Sequence, residues 1–374
     1  MNTQPGPTKA SPARSAQRSR LRVPDRALCL GGTLLVVLWL AAIVVLQRCG
    51  SEDDLPAFLA VYAPQPPLLL PVVAMMALCL LRLRWRWFAL NAALLVTGVA
   101  LLIPPMLPGH RLPALDPATR IRVVTWNVHE EFRNTQRLQE TLDALKPDVV
   151  CLQEARQSTF RSVLPGAEAA HTHDVTTLTR GKIVARRAFP LGRSPNFRWG
   201  MDTDIVLPQG RLRVLNLHYM IDVNRRVRRT FRQRPSPPVE GIQRARTLEN
   251  EVVTLWLKTT PGPRIVAGDF NTPPRALIYR QLAAVATDAF AAVGRGWGFT
   301  FRRDQPVIRI DYVWCAGGVK PLRSAPRDGG LSDHRLLVTD LYIPGGASPR
   351  RVAAPAPGQP TALELESSTP EDTR

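Results

Sequence analysis

The sequence predicts an α/β domain carried on transmembrane helices. Two observations predict it. Hydrophobic residues make up 45% of the 374-residue chain, and they crowd into long uncharged runs before residue 107. Beyond those runs, short β-type segments alternate with helical periodicity, the pattern of βαβ units.

Residues 1–26 are polar and basic, with Lys9, Arg14, Arg18, Arg20, Arg22 and Arg26, and read as a disordered tail. A transmembrane region over 27–107 follows, with spans expected at about 27–47, 62–81 and 87–107. Ala27 to Gln47 carries no charge and has the length needed to cross the hydrocarbon core. Arg48 stands where a secretory signal would have a small-residue cleavage site, so the helix is read as retained. The run from Leu55 to Leu81 is interrupted by Pro64, Pro66, Pro67 and Pro71, and it is the least regular of the three. Ser51-Glu52-Asp53-Asp54 between the first two runs is acidic, whereas Arg82, Arg84 and Arg86 lie between the second and third. Positive residues stay cytoplasmic. The expectation is therefore a multi-pass cell-membrane protein with its N-terminus inside and everything after residue 108 extracytoplasmic. That parity depends on the Pro-rich run crossing.

Residues 108–120, with Pro108, Pro113 and Pro117, read as a linker. The soluble domain is placed at 121–343. A Pro-, Ala-, Ser- and Thr-rich stretch, 344–374, reads as a second disordered tail. Within the domain, Arg122–Trp126 predicts a strand, Thr135–Leu145 a helix with Leu138, Leu142 and Leu145 on one face, and Asp148–Leu152 a buried strand. Arg211–Leu217, Val239–Leu257 and Arg264–Ala267 repeat the order strand, helix, strand. Each strand ends in polar residues: Asn127, Glu154, His218 and Asp269. Two related halves whose strand ends converge on one site would explain this, since ligands of α/β proteins gather at strand ends.

The five cysteines, at 29, 49, 79, 151 and 315, show no metal-ligand spacing, which argues against zinc. Cys151 and Cys315 fall in strand-like runs and read as small core residues. The formal charge of +19 favours a polyanionic partner: nucleic acid, anionic lipid or a phosphorylated substrate.

Six segments carry the candidate chemistry. They are Trp126-Asn127, Leu152-Gln153-Glu154, Asn216-Leu217-His218, Gly268-Asp269-Phe270-Asn271, Ile310-Asp311-Tyr312-Val313 and Ser332-Asp333-His334. Phosphoester hydrolysis needs a metal to neutralise the phosphate, a group to orient water, donors for the transition-state oxygens and help for the leaving group. This set can supply all four. Carboxylates without sulfur suit a hard cation, Mg2+ or Mn2+. Each segment also has a plain reading. Asn271 or Thr272 could cap a helix starting at Pro273, Glu154 could be a solvated strand end, and Asp333-His334 a surface pair. His218, like His171 and His173, taken alone reads as a structural histidine. Six such segments in order in one domain are hard to explain that way.

Together these motifs resemble the endonuclease/exonuclease/phosphatase superfamily, over about residues 121–343. The resemblance implies a four-layer α/β sandwich, two packed mixed β-sheets flanked by helices. It implies a metal-dependent phosphoester hydrolase with Asn127, Glu154 and Asp333 at the metal, Glu154 being the principal ligand. It implies that His218 faces the phosphate, Asp269 orients or deprotonates the attacking water, and Asn271 holds a phosphoryl oxygen. Asp311 would pair with His334, which contacts the phosphate or acts as base. Some members carry an Asp two residues after the matching Asn, where this chain has His129.

Arg225, Arg226, Arg228, Arg229, Arg232 and Arg234 crowd the loop after His218. The loop reads equally as a clamp for a polyanion and as a solvated segment on anionic lipid, worth about 1 kcal/mol per Arg near the surface. It lacks the interleaved aromatics of a single-strand nucleic-acid platform. Membrane anchoring favours a phosphatase or phosphodiesterase acting on lipid-linked phosphate. An extracytoplasmic nuclease is the alternative, and the intact motif set argues against a non-catalytic binding module. The order of three helices and then an exported domain also resembles membrane-bound glycopeptide-resistance proteins of the superfamily, which are linked to undecaprenyl phosphate metabolism.

Overall fold

The computed structural model describes residues 25–106, 120–129, 135–156, 158–192, 198–220 and 239–344. Nearly all of the two tails and of the 108–120 linker, and the Arg225–Arg234 loop, lie outside them. The chain divides into two compact units, one of residues up to 42 with 67–101, the other of 43–66 with everything from 102 on.

The first apolar run forms helix α1, Asp25–Cys49. The second is not one helix. It makes α2, Leu55–Tyr62, then a 3-10 turn over Pro66–Leu69, and α3, Leu70–Leu81. The helical span expected at 62–81 therefore begins later. Pro64, Pro66 and Pro67 cannot donate to a helical ladder, and they bias the residues before them toward extended backbone. The third run is α4, Trp85–Leu102. Among the described residues α1 and α4 are each long and apolar enough to cross a membrane, and α2 with α3 counts as a third span only if the broken pair is one.

Within the first unit, α1 and α3 lie side by side. Cys79 Sγ is 3.9 Å from Cys29 Sγ, and Trp39 donates to the Leu68 carbonyl at 2.9 Å. Asp25 pairs with Arg82 at 2.5 Å and with Arg84 at 3.4 Å, so the start of α1 and the turn between α3 and α4 are at one end. Buried Asn91 of α4 donates to Thr33 of α1 at 2.9 Å.

The second unit contains two six-stranded sheets. Strands β1 (Arg120–Asn127), β2 (Val149–Gln153), β3 (Glu168–Thr172), β4 (Val175–Thr179), β11 (Lys320–Arg327) and β12 (Leu336–Tyr342) form one, in the order β11-β12-β1-β2-β4-β3. Strands β5 (Lys182–Pro190), β6 (Trp199–Leu207), β7 (Gly210–His218), β8 (Arg264–Asp269), β9 (Thr287–Asp288) and β10 (Asp311–Ala316) form the other, in the order β5-β6-β7-β8-β10-β9. The parallel pairs are β1–β2 and β7–β8, joined through helices α5 (Thr135–Leu145) and α6 (Val239–Thr259), and both pairs have antiparallel neighbours. The two halves are thus laid out alike, as the repeated strand-helix-strand pattern predicts.

Alternation along the strands builds the layers. Ile121, Val123, Val149 and Cys151 of the first sheet meet Leu212, Val214, Ile265, Ala267, Val313 and Cys315 of the second in one buried core. The opposite faces pack outward. Val124, Trp126, Val150 and Leu152 cover Leu138 and Leu142 of α5. Leu215, Leu217, Val266, Tyr312 and Trp314 cover Val253, Trp256 and Leu257 of α6, with Ile278 and Leu282 of α7 (Leu277–Ala283). Helix, sheet, sheet and helix make the four-layer sandwich.

Candidate active site

The period of two that fills the core also places the site. Ile121 and Val123 face inward, and the same parity continues to Thr125 and Asn127. Likewise Leu212 and Val214 lead to Asn216 and His218, Ile265 and Ala267 to Asp269, and Val313 runs back to Asp311. Apolar residues fill the space between the sheets, and polar ones close it at one end.

A polar layer separates core from site. Gln153 donates across the sheet interface to Asn216 Oδ1 at 2.8 Å, and Asn216 donates to the Thr176 carbonyl at 3.0 Å. Above it, His218 of β7 is paired in register with Asp269 of β8, which is paired with Asp311 of β10. Three neighbouring strands hold these side chains level. Gly268 permits the close approach of β8 to β7, since a Cβ there would lie 1.9 Å from the Leu217 carbonyl oxygen.

Asp269, Asp311 and His334 present ligand atoms all within 4.8 Å of one another, and all three are buried. His334 Nδ1 is 3.0 Å from Asp311 Oδ2, and its Nε2 is 3.7 Å from Asp269 Oδ2. Ser332 fixes the turn, accepting from the His334 N–H and donating to the Asn127 carbonyl at 2.7 Å. On the other side His218 Nδ1 is 3.0 Å from Asp174, while its Nε2 is 3.7 Å from the same Asp269 Oδ2 and 4.0 Å from Glu154. That Nε2 is buried and has no hydrogen-bond partner among the described residues. Asn127 bridges the cluster, its amide donating to Glu154 and to Asp269 at 3.1 Å each while its oxygen accepts from the His129 N–H. Glu154 breaks the strand parity through a left-handed φ of 54°.

Burial works against the imidazolium of His334, but the carboxylates of Asp311, Asp269 and Asp333 outweigh it and hold its pKa up at about 10. Burial, reinforced by Asp311, raises the pKa of Asp269 against the opposing pull of His334 and His218. Asp174 would also be raised by burial. Its hydrogen bond from His218 and the Arg198 charge 2.5 Å away hold it instead at about 2.

Of the sequence-predicted residues, Asn127, Glu154, His218, Asp269, Asp311 and His334 come together. Asn271 adjoins them with φ 48°, its N–H bonded to Asp269 Oδ1 at 2.8 Å and its side chain donating to the Tyr219 carbonyl. No helix starts at Pro273, because α7 begins only at Leu277, so Asn271 and Thr272 cap nothing there. Asp333 is not one of the buried residues of the cluster. It is exposed, and its carboxylate lies 3.3 Å from Ser332 Oγ. His129 also has a left-handed φ, of 58°, while His171 bonds Thr176 and His173 stacks on Trp199. Sequence reading missed Asp174. It sits in the hairpin turn between β3 and β4 with no motif around it, and only the fold brings it under His218.

A family model described as the Endonuclease/Exonuclease/phosphatase family matches residues 124–334, more than half of the chain. No curated protein matches the sequence. Similar solved structures include an endonuclease/exonuclease/phosphatase from Bacteroides vulgatus, 17% identical over 60% of this chain and 100% of that one, with a TM-score of 0.49. A mannosyl-6-phosphatase of Bacteroides thetaiotaomicron is 15% identical over 60% of this chain and 100% of its own, with a TM-score of 0.47. The human Nocturnin catalytic domain is 17% identical over 62% and 97%, with a TM-score of 0.46.

Proposed function

This chain belongs to the endonuclease/exonuclease/phosphatase family, and from that premise we propose that it is a membrane-anchored, divalent-metal-dependent hydrolase of lipid-linked phosphoesters. The observation that carries the catalytic part is the convergence of two His–Asp pairs on one carboxylate oxygen, Asp269 Oδ2.

The donor set fits a hard divalent cation. Glu154 and Asp269 converge on one Asn127 amide, Asp311 adds a second fully buried carboxylate, and His218 Nε2 has no hydrogen-bond partner among the described residues. Glu154, with Asn127 beside it, would hold the ion, and the ion when bound neutralises phosphate charge. Mg2+ or Mn2+ suits these ligands better than zinc.

The residues divide the remaining work. Asp311 accepts the Nδ1–H of His334 and fixes the ring. The carboxylates of Asp311, Asp269 and Asp333 favour the imidazolium form of His334, whose Nε2–H then donates to a phosphoryl oxygen. Asp269, whose basicity is raised by burial, orients the attacking water and takes its proton. Asp174 accepts from His218 Nδ1 and turns Nε2 toward the phosphate. Asn271 supplies a further contact to the phosphoryl group.

Membrane anchoring is supported by α1 and α4. Helix α2, with 8 residues, is too short to cross, at about 1.5 Å per residue. An extracytoplasmic catalytic domain requires Pro66–Leu81 to complete a crossing without α2, and the Asp25–Arg82 and Asp25–Arg84 pairs, which hold the turn between α3 and α4 at the end where α1 starts, support that reading. Confinement beside a bilayer raises the effective concentration of a lipid-linked substrate without any new contact. The test is a competition with purified full-length protein and Mg2+, comparing lipid phosphates in vesicles with plasmid DNA at one salt concentration. Faster release of phosphate or head group from the vesicles is expected. Plasmid nicking with no release from lipid would replace this reading with an extracytoplasmic nuclease.

A further inference from the structure

Helix α2 is apolar on two sides. Ala57, Phe58, Ala60, Val61 and Tyr62 are buried, while Leu55 and Leu59 are exposed. The buried side rests on the catalytic domain, within one compact unit. Phe58, Val61 and Tyr62 cluster with Ala276. Glu52, just ahead of α2, accepts from the Leu277 N–H at 2.6 Å and from the Tyr62 hydroxyl at 3.0 Å, and Arg275 donates to the Ala63 carbonyl at 2.8 Å. This is more than a tether needs.

The Tyr62 ring lies against a buried cation. The Arg246 guanidinium carbon is 4.9 Å from the ring centroid, and Arg246 is fully buried. Its Nη2 donates to the Asn271 carbonyl at 2.9 Å and to Thr272 Oγ1. Its Nε and Nη1 have no hydrogen-bond partner among the described residues. A buried charge so poorly satisfied by hydrogen bonds needs another source of stabilisation, and an aromatic face supplies one. Arg246 in turn grips the turn that begins at Asp269, where the Asn271 N–H bonds the Asp269 carboxylate. Ring, guanidinium, Asn271 backbone and Asp269 form one continuous chain of contacts.

We propose that Tyr62 is a positioning residue for hydrolysis: it holds Arg246, and through Arg246 the Asp269–Thr272 turn, in the geometry that aims Asp269 into the site. The segment between the membrane helices is then a brace of the active site. The inference rests on Asp269 acting as the base.

The experiment uses the full chain in phosphatidylcholine nanodiscs, bis(4-nitrophenyl) phosphate with Mg2+ as substrate, and hydrogen exchange read peptide by peptide. Tyr62→Ala is expected to lower kcat roughly tenfold, the loss that a desolvated cation–π contact would give, with KM within about twofold. Amides of 268–273 should exchange faster while those of β1 and β2 stay protected. Tyr62→Phe keeps the ring and should keep kcat within about twofold. Tyr62→Leu fills the space without a π face, and it replaces the alanine variant if that one loosens β1. Wild-type kcat together with unchanged exchange at 268–273 in the alanine or leucine variant overturns the proposal, as does a phenylalanine variant as impaired as the alanine one. If the wild-type chain hydrolyses no phosphoester at all, the reading of the site fails, while exchange at 268–273 still reports whether the brace exists.

Discussion

Asp269 and Asp311 are register partners on adjacent antiparallel strands, both with no exposed surface, and His334 closes the gap between them from a turn 23 residues after Asp311. Two carboxylates held side by side out of water are tolerable only if a cation is held with them, and the imidazolium of His334 is one.

Removing that cation or its anchor should stop the reaction without unfolding the domain. His334→Ala and Asp311→Asn are each expected to lower turnover of a generic phosphodiester by roughly 10^2- to 10^4-fold. Turnover measured alongside thermal melting checks this, and retained activity in a well-folded variant would remove that residue from the mechanism.

Asp174 is expected to matter through His218 alone. Asp174→Asn keeps the volume but no longer anchors the Nδ1–H as a carboxylate, so kcat should fall roughly 10- to 100-fold. The loss should fall in kcat with KM within about twofold, because the imidazole loses the partner that fixed its orientation. An unchanged kcat would mean that the 3.0 Å contact does not orient His218.

Metal removal should inactivate. EDTA is expected to abolish turnover, with Mg2+ or Mn2+ restoring it, and Glu154→Gln should raise the metal concentration for half-activity by roughly tenfold or more. Activity restored by zinc alone would show that the oxygen-rich ligand assignment is wrong.

Glu249 of α6 gives a pH prediction away from the chemistry. Burial pushes its pKa from 4.5 up to about 8, against the Met220 N–H bond and the Arg246 charge. A folded value above the unfolded one means that its contribution to stability is complete below pH 4.5 and is lost as pH rises through about 8. Glu249→Gln cannot ionise, so its melting temperature should gain on the wild type between those pH values and run parallel below them. Parallel curves across the whole range would place Glu249 in water when folded.

A reporter fused after residue 343 checks topology. An alkaline phosphatase fusion should be active and a cytoplasmic fluorescent fusion dark, because Asp25, Arg82 and Arg84 gather at one end of the helices. The reverse pattern would mean that α3 does not complete a crossing.

The strands and helices of the catalytic domain were legible because periodicity and strand-end polarity are local properties. Helix α5 falls where Leu138 and Leu142 repeat, and β8 ends in Gly-Asp where the motif said it would. The Pro-rich run was legible as irregular but not as two helices, because α2 is defined by what it packs against.

By itself the sequence determined two apolar helices long enough to cross a membrane, the α/β layering and six of the residues that meet at the site, since each is written in hydropathy, alternation or a short motif. Only the tertiary structure decided that Asp174 anchors His218, that Asp333 stays exposed, and that Tyr62 reaches Arg246. The two contacts join residues 44 and 184 positions apart in the chain, and their strength comes from burial and mutual geometry, which no local pattern encodes.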